Sequence, residues 1–243
     1  MKNKFCLLIV FFLCIFSLFP AGAQTLSEKD FQVLNMNDGL SDNDIHSVAK
    51  DTEGFMWFGT GSGLNRYDGH TFKVFRMPGI SYRRIDRVVS LDTYYLLLRS
   101  EQNLFLFDKK YERFLPVCDS VSKQPVMFAD FVADSDGSCW GVSSGELSGV
   151  NFPSSFVQDT AFVSVRHVVN NLQSDPFVVL CMGEDGKMLY CASRNGTVYR
   201  FTPGQRQLTK VCDGQLSSSK WVSSVMNDDS FIWISTVGDG LYD

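Results

Sequence analysis

Short apolar runs alternate with Asp- and Gly-rich breaks from residue 31 onward, and nowhere does the chain sustain an apolar stripe at 3.6-residue spacing. Such runs predict strands. The Asp-x-x-Gly segments Asp51 to Gly54 and Asp134 to Gly137 predict hairpin turns, because Asp bonds nearby amides and Gly accepts positive φ. In the first unit the pattern places strands at Ile45 to Ala49, Phe55 to Gly59, Leu64 to Tyr67 and Phe72 to Phe75.

The pattern then repeats. The segment DTEGFMWFGTGSGLNRYD at 51–68 recurs at 92–108, 134–152, 184–201 and 227–243, with anchors Trp57, Leu97, Trp140, Tyr190 and Trp233 spaced by 40, 43, 50 and 43 residues. Leu64, Leu104 and Leu147 follow their anchors by seven residues, and Val198 and Leu241 by eight. A unit of four short strands with one large apolar anchor cannot cover both of its own faces, so copies must stack face to face as propeller blades do. The expected fold is all-β, with about five four-stranded antiparallel blades near residues 40–75, 85–114, 126–152, 177–211 and 221–243, each anchor buried between neighbouring sheets. FQVLNMNDGLS at 31–41 resembles TFKVFRMPGIS at 71–81, so residues 31–35 read as a stray fourth strand, which would close the last blade if the five units formed a small ring and would lack its proper partner if the array were longer. The array is expected to stop at Asp243 inside a longer one.

The N-terminus has a different character. Lys2 and Lys4 precede an apolar run from Phe5 to Phe19 broken only by Ser17, and Pro20 and Ala21-Gly22-Ala23 follow. This reads as a secretory signal over residues 1–23, cleaved before Gln24, with a run shorter than the roughly 20 residues of a spanning helix. Export places Cys118, Cys139, Cys181, Cys191 and Cys212 in an oxidising compartment, yet their number is odd and no C-x-x-C pair occurs. A tight turn at residues 183–186 would set Cys181 opposite about Met188 and Cys191 opposite about Val178, so buried free thiols are expected.

Composition narrows the function. With 243 residues, 44% apolar and 14% aromatic, the chain has material for a sizeable core, which excludes disorder. A net charge of −5, with no basic run beyond the leader, makes nucleic acid and anionic membrane surfaces poor partners.

At NDGLSDNDIHSVAKDTEGFMWFGTGSGLNRYDGHTFKVF, residues 37–75, the chain resembles the repeat of two-component regulator propellers, the periplasmic sensor portion of Bacteroidetes hybrid sensor histidine kinases. The match is carried by Gly39-Leu40-Ser41, Asn43, Asp51, Gly54, Trp57, Gly59-Thr60, Gly63-Leu64 and Tyr67-Asp68-Gly69, and Trp233, Thr236, Gly240 and Leu241 repeat it. The middle units depart from it, with Leu97 in place of Trp and WGVSS in place of W-x-G-T. The resemblance implies seven-bladed propellers, a β-sandwich domain, one membrane span and cytoplasmic kinase, receiver and helix-turn-helix parts, the whole sensing glycan fragments. None of those later parts has a motif here, so the chain is expected to be an N-terminal fragment that detects without signalling, touching the membrane and forming a homodimer only through the parent.

Candidate chemistry is sparse. His46, His70 and His167 lack metal-ligand spacing, and DSDG at Asp134 to Gly137 lacks the further oxygens of a calcium loop, so neither metal nor cofactor is expected. GTGSG at 59–63 lies between strands without a Lys or a helix start, which is a hairpin and not a phosphate cradle. The expected function is a periplasmic sensor with an oligosaccharide ligand and no catalysis of its own. The alternatives are a polysaccharide-directed propeller enzyme of lyase or lactonase type, and an interaction scaffold. Ligand contacts are expected at the pore mouth, where the entry loops of first strands converge: Ser41, Asp42, Asn43 and Asp44, then Arg83, Arg84 and Asp86, then Ser218, Ser219 and Lys220. The isolated chain is expected to bind oligosaccharides weakly or undetectably and to hydrolyse none.

Overall fold

The structure, a computed structural model, describes residues 31–79, 84–134, 137–153, 159–168, 175–183, 186–205, 207–214, 216, 220–228, 231–238 and 240–242. The leader lies outside the described residues. The chain divides into two units, 1–34 and 35–243. In the first, Phe31 to Leu34 carry no strand, and Phe31 and Val33 are 63% and 80% exposed. No closing strand is formed at 31–35, as expected of an array longer than a five-blade ring: similarity to residues 71–75 supplies side chains suited to a strand, but a strand also needs a ladder partner. Asn35 instead caps the 3-10 turn Met36–Asp38, its side chain accepting from the Asn37 amide at 2.8 Å.

The second unit is all-β. The first blade runs β1 (Ile45–Lys50), β2 (Met56–Thr60), β3 (Gly63–Tyr67) and β4 (Phe72–Phe75), paired antiparallel in chain order. The second runs β5 (Arg87–Ser90), β6 (Tyr95–Ser100), β7 (Asn103–Asp108) and β8 (Arg113–Asp119), and the third β9 (Asp130–Ala133), β10 (Cys139–Ser143), β11 (Glu146–Asn151) and β12 (Ala161–His167). The fourth runs β13 (Phe177–Met182), β14 (Leu189–Ser193), β15 (Val198–Thr202) and β16 (Gln207–Cys212), and the last β17 (Trp221–Asn227), β18 (Ile232–Val237) and β19 (Gly240–Tyr242). The Asp turns act as the pattern implies: Asp51 Oδ1 accepts from the Glu53 and Phe55 amides, both at 3.0 Å, while Gly54 takes φ 92°.

The third blade extends past residue 152 to His167, and the segment between β11 and β12 contributes to the long Trp140 to Tyr190 spacing. That connection lets β12 begin elsewhere. Ala161, Phe162 and Val163 pair parallel with Val117, Cys118 and Asp119 of β8, and Ser164 to His167 then pair antiparallel with β11. Blades two and three thus share one eight-stranded sheet, and the outer edge of β8 is covered.

Alternate residues of each second strand serve opposite neighbours, as the pleat dictates. Trp57 packs with Leu96, Leu98 and Phe107 of blade two, whereas Leu97 packs with Phe131 and Cys139 of blade three. Trp140 packs with Phe177, Leu189 and Cys191 of blade four, and Tyr190 against Val222, Val225 and Ile234 of the last blade. Every anchor with a following blade therefore faces that blade. Trp57, Leu97 and Trp140 are buried, but Tyr190 and Trp233 are only half-buried, which corrects the expectation of full burial. Trp233 and Leu241 lie on the sheet whose forward face has no neighbour among the described residues, and Leu241 is 63% exposed.

The five cysteines among the described residues are free. The register differs from the expected one because the hairpin closes through the Gly183 amide and the Met188 carbonyl at 2.8 Å, so Cys181 lies opposite Tyr190 and Cys191 opposite Leu180. Cys181 then faces the fifth-blade core and Cys191 the third-blade core, on opposite sides of the sheet.

Candidate functional site

The first strand of each blade lies innermost, and successive inner strands are tied together. The Val88 amide of β5 donates to Ser47 Oγ of β1 at 3.0 Å, and the Leu180 amide of β13 donates to Asp130 Oδ2 of β9 at 2.9 Å. Where β5, β9, β13 and β17 converge they frame a cavity of about 380 Å³, lined by Arg87, Asp130, Val132, the edge of β13 from Val178 to Met182, and Ser223 to Val225. The cavity falls within the roughly 300–1,000 Å³ usual for small-molecule sites. One lining residue comes from a second strand, Arg99 of β6.

The charges are unevenly matched. Asp130 Oδ1 lies 3.2 Å from Arg87 Nη1, and Arg87 Nε donates to the Phe131 carbonyl at 3.1 Å. Arg99, directly opposite Arg87 in the β5–β6 register, has a buried Nε with no hydrogen-bond partner among the described residues. Burial pulls its guanidinium below the usual arginine range, Asp86 and Asp130 push back, and Arg87 and Arg84 pull it further down. The Cys181 thiol at the same cavity is pushed up to about 11 by burial, so it is neutral at physiological pH.

Arg99 occupies a telling register position, two residues after the anchor. The equivalents are Gly59, Val142, Ala192 and Ser235. In blade one a Cβ at Gly59 would stand 2.7 Å from the Ile85 carbonyl, so the next blade's entry backbone comes right against it. In blade two the same position holds an arginine.

The residues expected at the pore mouth are placed as follows. Asp42 Oδ1 accepts from the Asp44 amide at 3.0 Å and its Oδ2 from Ser62 Oγ at 2.9 Å, bonds that hold its carboxyl below the usual range. Asn43 Oδ1 accepts from the Met36 amide at 3.0 Å, and Asp44 Oδ2 lies 3.3 Å from His46 Nε2. Ser41 joins the buried Asn65 and Thr60, each at 2.9 Å. Arg84 pairs with Asp86 at 2.5 Å, and Asp86 also accepts from the Glu101 amide. The entry ends of β1 and β5 do share a rim, since the Ile85 amide donates to the Thr60 carbonyl at 2.9 Å and Thr60 pairs with Ile45. Arg83, Ser218 and Ser219 lie outside the described residues, and Lys220 is half-buried. The described loop residues are engaged in local turns and ion pairs, whereas the cavity is lined from the strands. Sequence reading passed over Arg87, Arg99 and Asp130; the signal that could have found them is the register position relative to each anchor.

A second cavity of about 280 Å³, beside the hairpin after β8, holds Asp119, Ser148 and His167. Ser148 Oγ and His167 Nδ1 are 2.9 Å apart, but Ser148 is 1% exposed and Asp119 Oδ2 is taken by the Ser122 amide, so the trio is not arranged as a nucleophile, base and orienting acid. Among the described residues no group of three or more His, Cys, Asp or Glu could hold a metal, and no helix is long and apolar enough to cross a membrane.

With this geometry in hand, comparison identifies the repeat. Residues 39–62 match the family model of the two component regulator propeller. A histidine kinase, P4, of Formosa agariphila is 49% identical over 39 residues, 16% of this chain and 3% of the kinase. The extracellular domain of a proposed hybrid two component system of B. thetaiotaomicron superposes with a TM-score of 0.54 at 18% identity, covering 86% of this chain and 36% of that one. PorZ, a surface component of the type-IX secretion system of Porphyromonas gingivalis, superposes at 0.59 and 14% identity, covering 90% and 34%. The chain therefore spans about a third of these solved structures. Residues 39–62 carry the two component regulator propeller repeat, and the chain as a whole has an all-β propeller-blade architecture.

Proposed function

We propose that this chain is the ligand-detecting propeller portion of a periplasmic two-component regulator, and that it recognises glycan fragments without turning them over. The observation that carries the reading is the convergence of four inner strands on one polar cavity: a ligand there touches four blades at once, so binding can bias their packing. The regulator-propeller repeat at residues 39–62 supports the signalling role. Kinase activity is, on this reading, a property of longer proteins such as the histidine kinase of Formosa agariphila, of which the matched stretch covers 3%.

Calorimetry of the chain with a panel of neutral and acidic oligosaccharides tests it. Weak, saturable binding with the sugar recovered unchanged is expected. Release of reducing ends or unsaturated sugars would transfer the chain to the enzymes, and silence toward the whole panel would leave an interaction scaffold.

A further inference from the structure

Among the described residues, the central cavity holds one arginine, Arg99, that makes no ion pair and whose Nε has no hydrogen-bond partner. Both oxygens of Asp130 are committed, Oδ1 to Arg87 and Oδ2 to the Leu180 amide, and Asp86 is committed to Arg84 and the Glu101 amide. Arg99 therefore meets these carboxylates only through space, and its buried Nε–H points at no acceptor among the described residues. A partly buried guanidinium left in this state is costly unless an anion completes it. The position makes the arrangement specific, since the equivalent residues are Gly59, Val142, Ala192 and Ser235 and only blade two brings a charge there.

Resting on the glycan-detecting reading above, we propose that the cavity selects an anionic sugar, one whose carboxylate or sulfate ester docks on Arg99 beside Arg87. The guanidinium fork matches such oxyanions with two parallel N–H···O bonds, which a sugar hydroxyl cannot do. Ser223 and Ser224, on the β17 side of the same cavity, offer hydroxyls to the ring. The titratable groups facing Arg99 are Arg84, Asp86, Arg87 and Asp130, and all four are already paired among themselves, Arg84 with Asp86 and Arg87 with Asp130.

The test needs no variant at first. The chain is titrated by calorimetry with digalacturonate, with its dimethyl ester, and with a sulfated disaccharide, while the arginine Nε–H resonances are followed by NMR. An acidic sugar should bind at least tenfold more tightly than the ester, with affinity falling as salt rises, and should shift the Arg99 Nε–H signal saturably; preference between the first and third sugars identifies carboxylate or sulfate as the anion. Arg99→Gln should abolish the preference, and Arg99→Lys should retain part of it, each with a cooperative melt as evidence of folding. Equal binding of acid and ester would overturn the anion proposal while leaving glycan detection standing. Absence of binding by all three sugars and by the neutral panel would overturn both.

Discussion

At the scale of single residues, the repeated Asp and the repeated Trp are two ends of one bond. Trp57 Nε1 donates to Asp51 Oδ2 at 2.8 Å, Trp140 to Asp134 at 3.3 Å and Trp233 to Asp228 at 2.6 Å, while the other carboxylate oxygen closes the turn. The indoles of Trp57 and Trp140 are thus buried with the polar atom satisfied. Blade two has Leu97, and there Asp92 serves only the amides of Tyr94 and Tyr95. Trp57→Phe should therefore cost about 1–3 kcal/mol by stripping a donor from the buried Asp51, whereas Asp92→Ala on the exposed turn should cost under about 1 kcal/mol; urea unfolding of both variants checks the order. Burial alone would raise the Asp51 carboxyl, but the Trp57 indole and Lys109, 3.4 Å away, outweigh it and hold the carboxyl low. Asp42 and Asp119 are also held low, chiefly by backbone amides, and Asp68 is held at about 2 by the Thr71 and His70 amides. Groups depressed in the fold contribute stability above their unfolded values and lose it as pH falls through the folded ones. The urea midpoint should thus stay level down to about pH 5 and drop below about pH 4, and a midpoint that rises on acidification would contradict this. The anchors and turns were legible because they recur at one period; the bond joining them was not, since it needs both oxygens of one carboxylate placed in space.

At the scale of elements, burial follows which face has a neighbour. Trp57→Ala should cost about 3–5 kcal/mol, and Trp233→Ala, on a half-buried face, about 1–2 kcal/mol, by the same unfolding measurement. A Gly59→Ala chain should lose stability as well, because the new Cβ would meet the Ile85 carbonyl, a backbone atom that cannot rotate away. Strand positions in blade one were legible to within a residue, Met56–Thr60 against Phe55 to Gly59. The departure of β12 was not, because parallel pairing with β8 is a long-range choice that leaves no local trace. Residues 31–35 likewise have the side chains of a strand but form none. Cysteine faces follow from register: a thiol reagent with mass mapping should label the exposed Cys212 first, with Cys139 and Cys191 protected, as burial pushes both thiols well up.

At the scale of the whole unit, four blades contribute to one cavity, and its charged residues were hidden from sequence because each lies in a different blade. Loop acids such as Asp42 drew attention by clustering in the sequence, and the structure spends them on turns; Arg99 and Asp130 meet only through the stacking of blades. The central claim is that the inner strands are where ligand is detected. Hydrogen exchange read by mass spectrometry, with and without a saturating acidic oligosaccharide, addresses it directly. Slowed exchange is expected in peptides covering Arg87–Ser90, Asp130–Ala133, Phe177–Met182 and Trp221–Asn227 together. Slowing confined to the turn at residues 41–44, to the groove beside His167, or to the outer strands would contradict it.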